Sequence, residues 1–339
     1  MPPTKLLLSG SGSAGQAVAR CAVRHDRAAI VGLCDPRSEN LQAGAQLYPQ
    51  AQTSAEYVEL LDQVQPDAVV VAGPDHLHAE QALAALERGC HVLVEKPLAT
   101  TVEDAQRIVA AQEGTGLHVM ADHTMRYLHP WRAMALAAQQ GDIGEVFFVQ
   151  GDYIHDMWHH YDPAGRNHTP WRIDGQFPQN ILLGGGCHPI DLMLWSVGQP
   201  VDEVFGYASK KSIPQFPDPD CYILVLRFAN GVLGKVYVTS GCSGHGMGGG
   251  FLAAYGTDGS LWQGNLHRRD QETIELPEPP ISAAESGHGW AGSVTDFLDL
   301  LEGRIDNPIP ARHGARTVAL CVAGLEAIKS GQPQRPVAF

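Results

Sequence analysis

Positive charge is scarce in this sequence. Its 339 residues carry 23 Lys and Arg against 37 Asp and Glu, a formal net charge of −14. Nucleic acid and anionic lipid both select for clustered Lys and Arg, so neither is the expected partner. Long apolar runs are also missing. No stretch approaches the ~20 residues of a membrane span, and Met1-Pro2-Pro3-Thr4-Lys5 runs straight into a short strand instead of a signal segment. Seven scattered cysteines include no Cys-x-x-Cys pair. That spacing argues against a disulfide framework or a zinc ribbon, and reads as reduced thiols of a cytoplasmic protein. Repeats and low-complexity tails are lacking as well.

What is present suits a soluble globular chain: 44% hydrophobic and 18% charged residues. The length exceeds what one hydrophobic core usually supports, so two domains are expected, 1–122 and 123–339. The first alternates strands and helices. Leu6–Leu8, Ala29–Cys34, Asp67–Ala72, His91–Val94 and Leu117–Ala121 read as strands. Helices are expected over Gln16–His25, Ala79–Glu87 and Val102–Glu113. A further one is expected after a Ser54 cap, with Tyr57, Val58, Leu60 and Leu61 turned inward. Repeated βα units imply a doubly wound parallel sheet. After a helix over Trp131–Gln140 the pattern changes. Strands follow one another at Val146–Tyr153, Val201–Lys210, Tyr222–Phe228, Val232–Thr239 and Phe251–Tyr255, with turn signals at Asn230-Gly231 and Thr257-Asp258-Gly259. The second domain is therefore α+β with an antiparallel sheet, closed by helices near Val294–Leu301 and Ala315–Lys329. Pro277–Gly289 reads as a long loop.

Chemistry concentrates at the carboxyl ends of the first domain's strands, where open α/β sheets bind ligands. Gly10-Ser11-Gly12-Ser13-Ala14-Gly15 links the first strand to the first helix, and Asp35 ends the second strand. That is the dinucleotide fingerprint in its required setting: glycines allow a pyrophosphate to approach a helix N-terminus, and the carboxylate takes ribose hydroxyls. Asp35 favours NAD; Arg37 keeps NADP possible. Gly73-Pro74-Asp75-His76-Leu77-His78 follows the third strand, with His78 either beside the cofactor or bonded structurally at a helix start. Glu95-Lys96-Pro97 follows the fourth strand, and a lysine there can polarise a carbonyl oxygen or lower an alcohol's pKa. In the second domain, His155-Asp156-Met157-Trp158-His159-His160 precedes Trp171-Arg172. Aromatic and polar groups of this kind suit a carbohydrate; a metal site and a solvated loop are the alternatives. Gly241–Gly250 and Ser286–Gly289 read as loops, and His288 is a lesser candidate for the site.

Taken in order, Gly10-x-Gly12-x-x-Gly15, Pro74–His78, Glu95-Lys96-Pro97, Arg126-Tyr127, Gly141–Val146 and Gly185-Gly186-Cys187-His188-Pro189-Ile190-Asp191 resemble the Gfo/Idh/MocA oxidoreductases over nearly the whole chain. The resemblance implies an N-terminal Rossmann domain and a C-terminal domain with a large open, mostly antiparallel sheet. It also implies NAD or NADP chemistry on sugars or polyols, and dimers or tetramers formed through the open sheet. Lys96 and His188 match the family's catalytic positions. Gly10, Ser11, Gly12, Ser13, Ala14, Asp35, Arg37, Gly73, Pro74, His78, Glu95 and Lys96 are the expected cofactor residues. Lys96, Arg126, His155, Trp158, His159, Trp171, Arg172, Cys187 and His188 are the expected substrate residues. One position departs: Gly184 stands where relatives carry an aspartate that orients the histidine. The leading reading is an NAD-dependent dehydrogenase acting on a secondary hydroxyl. The others are an enzyme that cleaves glycosides through transient oxidation and a non-catalytic cofactor-binding regulator.

Overall fold

The computed structural model describes residues 2–24, 26–244, 251–278 and 288–339. His25, Ser286, Gly287 and most of the Gly241–Gly250 and Pro277–Gly289 segments lie outside the described residues. Those in 2–127 and 288–315 form one compact unit, and those in 128–278 and 316–339 another.

The first unit is built on β1 (Thr4–Ser9), β2 (Ala28–Cys34), β3 (Gln52–Ser54), β4 (Ala68–Val71), β5 (His91–Glu95) and β6 (Val119–Asp122). All neighbours are parallel, in the order β3-β2-β1-β4-β5-β6. This is the doubly wound arrangement, with its order reversing beside β1. Leu6, Leu7, Leu8, Val69, Val71, Val92 and Val94 are inside the core. Each such side chain contributes roughly 1.5–3 kcal/mol by burial. The strand bodies are thus given over to packing, and only their ends are left for chemistry.

Helices α1 (Ser13–Val23), α2 (Ser38–Leu47), α3 (Tyr57–Val64), α4 (His78–Glu87) and α5 (Val102–Thr115) make the connections. The pattern did not reveal α2 or β3. Only Gly44 of α2 is buried, and β3 is three residues long with none buried, so neither writes a periodic apolar stripe. Ser54 does not cap α3. It ends β3, and its hydroxyl takes the Glu56 N–H instead. Leu60 and Leu61 of α3 are buried as expected, but Val58 is 44% exposed.

In the second unit, α6 (Trp131–Gln139) precedes β7 (Val146–Ile154), α7 (Trp158–Tyr161) and α8 (Cys187–Val197). They are followed by β8 (Val201–Ser209), β9 (Cys221–Phe228), β10 (Leu233–Thr239), β11 (Phe251–Gly256), β12 (Ser260–Trp262), β13 (Asn265–His267) and β14 (Ile274–Glu275). Eight strands form one sheet in the order β14-β13-β12-β11-β7-β10-β9-β8, antiparallel except where β7 meets β10. Asn230-Gly231 makes the β9–β10 turn, with Gly231 at φ +87. Burial alternates along β9: Tyr222, Leu224, Leu226 and Phe228 are covered, while Ile223, Val225 and Arg227 are exposed. The covered face carries α8, whose Pro189 and Met193 would meet a Cβ at Gly151 within 3 Å. The chain then returns to the first unit with α9 (Trp290–Leu301), and α10 (Ala311–Ser330) follows.

The first turn shows why its glycines differ. Gly10 has φ +95, and a Cβ there would lie 2.5 Å from the Ala72 carbonyl oxygen. A Cβ on Gly12 would meet nothing closer than an Arg37 nitrogen at 3.8 Å. Gly10→Ala is therefore expected to destabilise the protein by about 2–3 kcal/mol or more. Gly12→Ala should change stability by less than about 1 kcal/mol. Urea unfolding followed by circular dichroism checks both; equal losses would contradict the assignment.

Candidate active site

The nucleotide-type turn is preorganised. Asp35, buried just past β2, takes the Ser11 N–H at 2.9 Å, the Asn40 amide at 2.9 Å and the Arg37 N–H at 3.0 Å. These donors fix the carboxylate while leaving acceptor capacity, since two oxygens hold about four lone-pair sites. Arg37 is exposed, its Nε 3.8 Å from Asp35. The Ser11 hydroxyl is buried without a hydrogen-bond partner. Ser13 and Ala14 open α1, and no side chain caps that helix. A free helix N-terminus, an uncrowded Gly12 and a fixed carboxylate are the donor and acceptor set a dinucleotide needs, so the residues present fit NAD.

Gly73 and Pro74 follow β4. His78, the first residue of α4, is 1% exposed. Both of its ring nitrogens face main-chain oxygens, Nδ1 at 2.7 Å from Pro97 and Nε2 at 3.0 Å from Gly73.

Lys96 sits just past β5, half-buried, and its peptide bond to Pro97 is cis. Beside it is a feature that the sequence reading missed. Glu95 pairs in register with Asp122 at the end of β6, and both are buried. Two carboxylates so placed cannot both be charged cheaply. Trp290 Nε1–H donates to Glu95 at 2.8 Å, and the Ser293 hydroxyl donates to Asp122. Burial, with the Glu95 charge adding to it, pushes the Asp122 carboxyl well above the usual carboxylate range; the Ser293 bond and Lys96 oppose this. His288 stacks on Trp290 with centroids 4.2 Å apart, and its Nδ1 is 3.3 Å from the Thr124 hydroxyl. Burial lowers the His288 pKa, with Glu95 opposing the effect and Lys96 adding to it. Gly289 makes the approach possible: φ is +82, and a Cβ would lie 2.2 Å from the Thr124 oxygen. Trp290, Ser293 and Asp122 carried no motif, since only the fold brings α9 to the ends of β5 and β6. Arg126 is buried in this unit, with Nη1 3.5 Å from the Pro308 carbonyl.

In the second unit, His188 lies in the first turn of α8 and is 1% exposed. A π-helical turn over Leu182–Gly186 precedes it, and three consecutive glycines hid this helix from the sequence. Each glycine makes room. A Cβ on Gly185 would lie 2.4 Å from the Tyr153 ring, and one on Gly184 would lie 2.5 Å from the Gln179 amide. The space where an aspartate would stand is thus filled by the buried Gln179, whose Oε1 takes a hydrogen bond from Arg172. Tyr153 stacks on His188 at 6.0 Å between centroids, and its hydroxyl is 2.8 Å from His155 Nδ1. Burial raises the Tyr153 pKa, so the phenol keeps its proton.

Cys187 is fully buried beside His188. Trp158 is 40% exposed and meets the His159 ring edge-on, and Arg172 lies over the Trp171 ring at 4.8 Å. His159 and His160 lie on α7, one turn of helix. Among the described residues, no cluster of three or more His, Cys, Asp and Glu side chains is gathered to hold a metal.

This combination of a parallel nucleotide-type sheet and an open antiparallel sheet defines a class of two-part oxidoreductases, and comparison with known proteins gives the family. Residues 4–123 match the model of the oxidoreductase family with NAD-binding Rossmann fold. Residues 131–262 match the Gfo/Idh/MocA C-terminal domain. The chain belongs to the Gfo/Idh/MocA family. It is 34% identical over 182 residues to inositol 2-dehydrogenase 2 of Saccharopolyspora erythraea, over 53% of this chain and 49% of that one. It is 31% identical over 171 residues to D-glucoside 3-dehydrogenase of Escherichia coli, over 50% of this chain and 47% of that one. The match thus spans about half the length of these relatives. A crystal structure of the WlbA dehydrogenase from Bordetella pertussis, in complex with NADH and UDP-GlcNAcA, superposes with a TM-score of 0.85 at 24% identity, over 99% of this chain and 98% of that one. At that identity the likeness speaks to fold.

The carboxyl pair has a pH signature. Just above the ordinary carboxylate range the unfolded chain has lost the Asp122 proton and the folded one keeps it. The folded state then binds more protons, and stability falls as pH rises. Asp122→Asn keeps the shape but cannot ionise. Its stability relative to wild type should be flat below about pH 4, then grow with pH by up to about 1.4 kcal/mol per unit until the folded-state pKa is passed. Chemical unfolding at a series of pH values checks this; parallel curves would show that Asp122 ionises normally.

Proposed function

We propose that this protein is an NAD-dependent dehydrogenase acting on a secondary hydroxyl of a sugar, sugar derivative or polyol. Lys96 carries the reading. It follows β5 directly after Glu95 of the buried carboxyl pair, in a chain of this family. The relatives named for inositol and glucosides support the substrate class. Residues 1–122 bind the cofactor, through Gly10, Ser11, Gly12, Ser13, Ala14, Asp35, Arg37, Gly73, Pro74 and Glu95. The second unit, 128–278 and 316–339, binds substrate and self-associates, while 288–315 belongs with the cofactor-binding unit. When bound, NAD supplies the hydride acceptor.

The chain's own part is proton and charge management. Lys96 Nζ holds the reacting oxygen and stabilises its developing negative charge. The His188 imidazole accepts the hydroxyl proton, its ring plane fixed by the Tyr153 face. Arg126, His155, Trp158, His159, Trp171, Arg172 and Cys187 surround the substrate. Lys96→Ala should lower kcat by on the order of 10²–10⁴-fold while NAD still binds. Purified protein screened against sugars, polyols and aryl glycosides, with NADH and aglycone followed in parallel, tests both points; near-normal turnover of the variant would refute the role. The Tyr153–His155 bond favours a second reading, glycoside cleavage with transient oxidation, because it adds an acid–base group beside His188. Aglycone release without NADH would select that reading.

The same face of the large sheet that leaves Ile223, Val225, Leu233 and Tyr207 exposed at 41, 52, 53 and 69% is the surface for a second copy, giving a dimer or tetramer. None of the seven cysteines is in a disulfide. No helix of the described residues is long and apolar enough to cross a membrane, and we place the protein in the cytoplasm. Val225→Glu should reduce the mass measured by light scattering to that of a monomer, with the circular dichroism spectrum unchanged. An unchanged oligomer would move the interface elsewhere.

A further inference from the structure

We propose that His78 is a positioning residue that ties the Lys96–Pro97 turn to the Gly73 turn and so sets Lys96 in place. The proposal rests on the dehydrogenase reading only in that Lys96 is the group positioned.

The observation is the environment of a buried ring. His78 Nδ1 is 2.7 Å from the Pro97 carbonyl oxygen and Nε2 is 3.0 Å from that of Gly73. Carbonyl oxygens only accept, so both ring edges are directed at acceptors and neither nitrogen is left to contact a ligand. This separates His78 from a cofactor-contacting role. The two carbonyls belong to turns that follow neighbouring strands: Val71 at the end of β4 pairs with Val94 of β5. The imidazole thus sets its nitrogens against the buried Pro97 carbonyl and the half-buried Gly73 carbonyl, and without it both would lose that polar neighbour.

The tie extends to the nucleotide-type turn. A Cβ on Gly10 would lie 2.5 Å from the Ala72 oxygen and 2.6 Å from the Gly73 nitrogen. The Gly10 backbone therefore rests directly on the Ala72–Gly73 peptide. Contact runs without a break from Gly10 to Gly73, through the His78 ring to Pro97, and by one covalent step to Lys96. A Lys side chain has four flexible carbons, so its reach is set by where the backbone starts it. A misplacement of about 1 Å at such a site costs on the order of 10²-fold in rate. The imidazole is a rigid spacer that fixes the start point relative to the cofactor loop.

The test uses His78→Ala and His78→Gln, each alone and combined with Lys96→Ala, in the full-length protein. Turnover, NAD affinity by calorimetry, and the rate at which trinitrobenzenesulfonate labels Lys96, read by mass spectrometry, are measured on folded protein. His78→Ala is expected to lower kcat about tenfold or more, to leave the NAD Kd within about threefold, and to change the Lys96 labelling rate. His78→Gln, whose amide carries two N–H donors, should recover part of each loss and stands in if the alanine variant does not fold. In the Lys96→Ala background, His78→Ala should add nothing to the residual rate. An undiminished effect in that background, a Kd that weakens as much as kcat falls, or unaltered labelling of Lys96 overturns the proposal. If wild type turns over no sugar or polyol, the dehydrogenase reading fails while labelling and calorimetry still decide the role of His78.

Discussion

A buried pair of carboxyl groups organises this molecule. Glu95 and Asp122 end neighbouring strands in register, where water is excluded and two negative charges would repel strongly. The chain resolves the conflict with groups drawn from far along the sequence. Trp290 donates to one carboxyl and Ser293 to the other, and Lys96 adds positive charge beside them. Because α9 supplies two of these partners, a segment that follows the whole second sheet in sequence is required to complete the first unit. Half-buried Lys96 thus follows a strand end whose carboxyl pair is braced from α9.

The second unit solves a different problem, that of space. Three glycines in a row, costly in a helix, are tolerated because each admits a neighbour: Gln179 at Gly184, Tyr153 at Gly185, Leu182 and Val238 at Gly186. The π-helical turn they permit leads straight into His188, consistent with the way such turns gather at functional sites. What lies around this turn is neutral: the Gln179 amide against Gly184 and the Tyr153 face against His188. Gly184 itself offers no charge to the imidazole of His188.

Much of this was legible from the sequence, and what was not has physical causes. Wholly apolar runs such as Ala68–Val71 identify strands buried on both faces, and Asn230-Gly231 identifies a hairpin, because their chemistry permits little else. The fingerprint turn and Glu95-Lys96-Pro97 were readable because both depend on local backbone. Asp122, Trp290 and Ser293 were not, because their meaning comes from a packing partner more than a hundred residues away. The helix at His188 was hidden by its glycines, and His78 was ambiguous until both acceptors of its ring were known. The short β3 and the polar α2 carry too little buried surface to leave a pattern.

The most direct measurement is the fate of carbon-bound deuterium. A sugar or glycoside deuterated at its ring carbons is incubated with the protein and NAD, and the nicotinamide is analysed by mass spectrometry and NMR. Deuterium at nicotinamide C4 in wild type, lost in Lys96→Ala while NAD remains bound, is the predicted result. Deuterium that never reaches the nicotinamide from any substrate in the screen, or that reaches it equally in the variant, would contradict hydride transfer organised around Lys96.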